Sequence, residues 1–167
     1  MGIEVERVKP RVSTSTTLEV AIMSNLDLTS GEINRLRLSF FELIPVSEQL
    51  SQAFYARLFA KHPEVRANFT SDILAQQEKL VDTLATLLDT LDRTDEAVGI
   101  LRSLGRRHVG YGATPELYAY VEVTFLELLS QYASPQDRSE LEELWSRLMK
   151  FVSETMLSGA NIELSPC

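Results

Sequence analysis

The sequence predicts an all-α domain. Apolar residues recur every three or four positions over almost the whole chain from Thr29 onward, the period of a helix with one buried face. Helix-start chemistry precedes several of these runs, in Thr29-Ser30-Gly31-Glu32, Thr114-Pro115-Glu116 and Ser134-Pro135-Gln136-Asp137. No stretch alternates apolar and polar residues as a half-buried strand does, and there is no internal repeat.

The elements follow in order. Thr-x-x-Glu is a capping box, in which Thr29 and Glu32 satisfy each other's free N–H groups, so the first helix starts near Ser30. It stops at Pro45, which a helix interior excludes. Leu50, Phe54 and Leu58 mark a second helix ended by His62-Pro63, and PEVRANF is a short helical turn. Ile73, Gln76, Leu80, Leu84, Leu87 and Leu91 mark a third helix, and Ala97, Leu101, Leu104 and His108 a fourth. Pro115 behind Thr114 opens a fifth, carrying Leu117, Val121, Phe125, Leu128 and Tyr132. The last helix, capped by Ser134–Asp137, presents Leu141, Leu144, Trp145, Leu148, Val152 and Met156 on one face. Residues 1–27 mix Ser, Thr and charge without a period and are expected to form a flexible extension. Residues 28–160 form the domain and 161–167 a tail. Met23 opens a stretch that would itself make a plausible N-terminus.

Composition narrows the function. A chain of 167 residues fits one domain with a sizeable core. A net charge of -8 argues against a nucleic-acid surface or an anionic membrane surface as partner. No apolar run approaches the roughly 20 residues of a membrane span, and no export signal is visible, so a cytoplasmic location is expected. The single cysteine, Cys167, supports neither an internal disulfide framework nor a Cys-based metal site.

Two histidines remain to be explained. His62 precedes Pro63 beside Lys61 and Glu64 and is expected to be solvated. His108, in LGRRHVGYG, continues the apolar stripe of Leu101 and Leu104, while Arg106 and Arg107 are better placed to face water. Two readings stand. His108 is a structural helix-end residue favoured by the macrodipole, or it is a metal ligand. As a ligand it would give one ring N–H to a carbonyl one turn earlier, that of Leu104, and point its other nitrogen inward. One histidine cannot hold a metal with protein groups alone, but it suffices for haem iron, whose in-plane ligands come from the porphyrin. An opposite wall is available in Tyr55, Phe69, Gln76 and Leu80. Individually these residues are ambiguous: Gln76 or Gln77 fits a surface position, and a tyrosine on an apolar face is usually core with its hydroxyl tied to a carbonyl. Jointly they describe a dry pocket with two polar groups opposite a metal.

FYARLFAKHPEVRANF, then Gln76 in QQEKL seven residues after Phe69, then LGRRHVGYGATPELY, resemble the bacterial single-domain haemoglobins and the globin half of flavohaemoglobins. The similarity runs from about Leu26 to Ala160, and the short connection from Phe69 to Gln76 resembles the haemoglobins of methane-oxidising bacteria more than flavohaemoglobins themselves. The resemblance implies a globin fold around haem b. It makes His108 the proximal iron ligand, Phe69 a porphyrin contact, Tyr55 and Gln76 the distal pair, Leu80 a wall of the ligand pocket, and Tyr118 a proximal residue hydrogen-bonding around the histidine. Gly105 would let its helix pack near the porphyrin, with Arg106 and Arg107 facing water or a haem propionate. Where flavohaemoglobins carry a glutamate on the last helix, this chain has Ala160, which leaves that proximal network without its carboxylate. The implied ligands are dioxygen, carbon monoxide and nitric oxide. The implied activity is high-affinity reversible oxygen binding with oxygen-dependent conversion of nitric oxide to nitrate. No residues after Ala160 suffice for a flavin or nicotinamide site, so a separate reductase is expected. The alternative is a haem-based gas-sensing module acting through a protein partner. A helical regulatory domain that has lost haem is disfavoured by the joint presence of Tyr55, Gln76 and His108.

Overall fold

The computed structural model describes residues 26–69 and 72–160. They form six α-helices: α1 Ser30–Leu43, α2 Ser47–Lys61, α3 Ile73–Thr90, α4 Thr94–Gly110, α5 Pro115–Tyr132 and α6 Arg138–Gly159, with 3-10 turns at Ile44–Val46 and Pro63–Asn68. No strand occurs among the described residues. The expected extension 1–27, apart from its last two residues, and the tail 161–167 lie outside them. Leu26 already packs against the core.

The helix starts follow the local chemistry. Thr29 Oγ1 accepts the Glu32 N–H at 3.2 Å, and the Glu32 carboxylate accepts the Thr29 N–H at 2.7 Å, a complete capping box. The same carboxylate meets Arg147 of α6 at 2.7 Å. The Thr29 N–H, then Arg147, hold the Glu32 carboxyl down to about 2. Pro45 turns the chain through the 3-10 segment directly into α2. Thr114 accepts the Leu117 N–H, and Pro115 sits at the first position of α5. Before α6, Ser134 Oγ donates to the Asp137 carboxylate at 2.7 Å, and the helix proper begins one residue later at Arg138.

The core is centred on Trp145. It is 1% exposed, packs against Phe125 and Phe40, and donates its indole N–H to Ser39 Oγ at 3.0 Å. Ser39 in turn donates to the Leu36 carbonyl at 2.8 Å, so both buried polar groups are satisfied. This places α1, α5 and α6 around one indole.

The close contact of α4 with α6 differs from what the sequence suggests for Gly105. A Cβ at Gly105 would fall inside the Met156 carbonyl group of α6, and a Cβ at Gly159 would fall on the Arg102 backbone of α4. The two glycines are reciprocal notches. Gly105 therefore serves the α4–α6 contact rather than an approach to a porphyrin. It presses against α6 one turn before His108, so α6 sets the position of the histidine-bearing helix.

Candidate functional site

On the α2–α3 side, the structure brings Tyr55, Phe69 and Gln76 together. Tyr55 is 6% exposed and stands edge-on to Phe69 with ring centres 5.5 Å apart. It also contacts Phe54 at 5.0 Å and Phe59 at 5.9 Å, and Phe59 meets Phe69 at 5.3 Å. The Tyr55 hydroxyl donates to the Gln76 carbonyl at 3.4 Å, a long and weak bond. Burial pushes the phenol up to about 12, so it remains a proton donor at neutral pH. Gln76 is half-buried and Gln77 buried, so neither takes the surface position that a glutamine suggests on sequence alone. Leu80, one turn beyond Gln76, lines a small apolar cavity of about 20 Å³ with Phe54, Val81, Leu84 and Phe125. A larger groove of about 250 Å³ beside Ser39, Arg138 and Trp145 shares none of the candidate site residues.

On the α4–α5 side stand His108, Tyr111 and Tyr118. His108 is half-buried, with Arg106 and Arg107 exposed beside it. Its Nδ1 lies 2.9 Å from the Leu104 carbonyl, the partner that the helical spacing predicts. A carbonyl can only accept, so Nδ1 carries the proton and Nε2 keeps its lone pair in the neutral ring. Burial moves the imidazole below its usual 6.5, against the Leu104 bond, which acts upward, and with Arg107, which acts downward. The neutral, ligand-competent form is thereby favoured.

Tyr118 lies 6.4 Å from the His108 ring, tilted by 36°, and its hydroxyl is buried with no hydrogen-bond partner among the described residues. The hydrogen bond that the resemblance implies around the histidine is not formed. The position at which the resemblance places a carboxylate is held by Ala160, the C-cap of α6. Tyr111, unforeseen in sequence, packs edge-on to His108 at 5.7 Å although 60% exposed. His62 also differs from expectation. It stacks on Tyr120 at 3.5 Å with the rings 8° from parallel, and its Nδ1 lies 3.6 Å from Glu64. A ring stacked on a tyrosine and lying beside a carboxylate is no longer simply solvated.

Two further residues near Phe69 carry no periodic signal. Arg66 donates to the Phe69 carbonyl at 2.7 Å while its guanidinium sits over Phe59 at 5.2 Å. Asn68 donates to the Tyr111 and Gly112 carbonyls at 2.9 and 3.1 Å. Asn68 reaches across the fold, whereas Arg66 bonds three residues ahead in a turn that the apolar spacing does not describe.

The chemistry open to this arrangement is limited in a useful way. Among the described residues, no group of three or more His, Cys, Asp or Glu could hold a metal ion. A metal held by the lone Nε2 of His108 must therefore bring most of its own ligands, as a porphyrin-bound iron does. The neutral imidazole with its tautomer set by Leu104, and the aromatic shelf of Phe69, fit such a group.

A family model described as Globin matches residues 52–156, from early α2 to late α6. The chain belongs to the globin family. All the candidate residues from Tyr55 to Tyr118 fall inside the matched span. This globin is 23% identical over 110 residues to an uncharacterized globin-like protein of Aquifex aeolicus (strain VF5), covering 66% of this chain and 78% of that protein. It is 24% identical over 133 residues to a flavohemoprotein of Vibrio cholerae serotype O1 (strain ATCC 39315 / El Tor Inaba N16961), covering 78% of this chain. The match spans only 34% of that flavohemoprotein. Membership of the family implies haem binding and gaseous ligands such as dioxygen. No helix among the described residues is long and apolar enough to cross a membrane.

Proposed function

We propose that this globin holds haem b through His108 Nε2, binds dioxygen reversibly and tightly, and converts nitric oxide to nitrate with a separate reductase as electron donor. The observation that carries the proposal is the Nδ1 to Leu104 carbonyl distance of 2.9 Å, which leaves a neutral imidazole with one free lone pair. Haem, when bound through His108, would supply an iron able to take up a diatomic gas reversibly. The remaining work falls to the chain. Phe69 offers an aromatic face to the ring. Phe54, Phe59 and Phe69 pack around the Tyr55 ring, which is 6% exposed, and a dry site strengthens any hydrogen bond formed there. The 3.4 Å bond from Tyr55 to Gln76 is weak enough that little is lost when the hydroxyl turns toward negative charge on a gas ligand. The Gln76 side chain is the second donor in this reading.

A hydrogen bond to a charged acceptor contributes about 1.5–3 kcal/mol, so Tyr55→Phe is expected to speed oxygen release by roughly 10- to 100-fold. An off-rate unchanged in stopped-flow measurement removes Tyr55 from this role. The nitrate reaction balances as NO + O2 + e⁻ → NO3⁻, with the electron from the reductase. Air-equilibrated ferrous protein mixed with excess nitric oxide and a reductant is expected to form many nitrates per chain. Conversion that stops after one nitrate per chain contradicts the enzymatic reading and favours a gas-sensing module.

A further inference from the structure

We propose that Asn68 is a positioning residue, a strut that locks the end of the His108 helix to the Phe69 turn. Its consequence for haem rests on the function proposed above; its geometry does not.

Asn68 is the last residue of the 3-10 turn, directly before Phe69. Its Nδ2 uses both hydrogens across the fold, donating to the Tyr111 carbonyl at 2.9 Å and the Gly112 carbonyl at 3.1 Å. Carbonyls at a helix end have no partner within the helix, so they are natural acceptors for such a group. The approach is close enough to constrain the backbone. Gly112 has φ +76°, and a Cβ there would lie 2.7 Å from Nδ2.

The corner so held is continuous with the histidine. The His108 carbonyl accepts from the Tyr111 N–H at 3.0 Å and from the Ala113 N–H at 3.1 Å. At the other end, Arg66 fixes the Phe69 carbonyl at 2.7 Å. Arg66, Phe69, Asn68, Tyr111–Gly112 and His108 thus form one chain of contacts joining the two walls of the candidate site. A flat group clasped between Phe69 and His108 needs both walls held at fixed separation, and two donor hydrogens on one amide supply that link.

The test separates a hydrogen-bonded strut from a side chain that merely fills space. Asn68→Ala removes the donor. Asn68→Asp keeps the shape but turns carboxylate oxygens toward two carbonyl oxygens. In the haem-free protein, amide hydrogen exchange at Tyr111, Gly112 and Ala113 is expected to quicken roughly tenfold in Asn68→Ala and more in Asn68→Asp, with exchange in α6 unchanged. Haem transfer from the loaded variants to excess apomyoglobin should quicken in the same order. Unchanged exchange at the corner, or Asn68→Asp exchanging like wild type, overturns the strut. Faster exchange with unchanged haem loss overturns its positioning role. Should wild type take up no haem, the cofactor assignment fails while the exchange rates still decide whether the strut exists.

Discussion

Gly105→Ala is expected to destabilise the fold by about 3 kcal/mol or more, beyond the usual range for one added methyl group in a packed core. The added Cβ meets the Met156 carbonyl, and a backbone carbonyl in the last turn of α6, already accepting the Ala160 N–H at 3.0 Å, cannot move aside as a side chain can. Relief requires α4 and α6 to part, which also loosens the reciprocal contact of Gly159 with Arg102. A control lies in the same helix. Gly99 has nothing within 4 Å of its would-be Cβ, so Gly99→Ala is expected to stabilise by about 0.5–1 kcal/mol through helix propensity alone. Urea midpoints of the haem-free proteins check both. Equal midpoints for the two variants would show that the α4–α6 notch carries no energetic weight. Because Gly105 lies one turn before His108, the same substitution is expected to weaken haem retention as well.

The contrast between the two glycines marks what could be read in the sequence. Helix existence, order and starts were legible because each depends on residues within a few positions of one another: Thr29 with Glu32, Thr114 with Pro115, Pro45 at a break. The Nδ1 partner of His108 was legible for the same reason, being one helical turn away. Gly105 and Gly99 look alike in one dimension, and only the approach of α6 distinguishes them. Asn68, Arg66 and the stacking of His62 on Tyr120 were likewise invisible, because their partners are distant in sequence or lie off any apolar stripe. Gln77 illustrates a subtler failure: polarity suggested the surface, but its neighbours in α3 turn that position inward. The hydroxyl of Tyr118, buried and unpartnered among the described residues, accords with Ala160 standing where the resemblance places a carboxylate.

His108→Ala is expected to have the largest functional effect. Loss of a hydrogen-bonded partner behind a metal-binding histidine typically weakens metal binding by roughly 10- to 100-fold. Removing the imidazole itself takes away the side chain proposed to hold the iron, so a larger loss follows. The fold should survive, because His108 is half-buried at a helix end and its one hydrogen bond returns to its own helix. Added free imidazole should re-enter the space and restore binding, which a purely structural role for His108 does not predict.

The most direct measurement is therefore a haemin titration of wild type and His108→Ala, reduced under carbon monoxide and followed in the Soret region. One equivalent of haem per wild-type chain, with the band of a histidine-ligated ferrous complex lost in His108→Ala and regained with imidazole, is the predicted result. Failure of wild type to bind haem stoichiometrically, or an identical band in His108→Ala without imidazole, would contradict the assignment of His108.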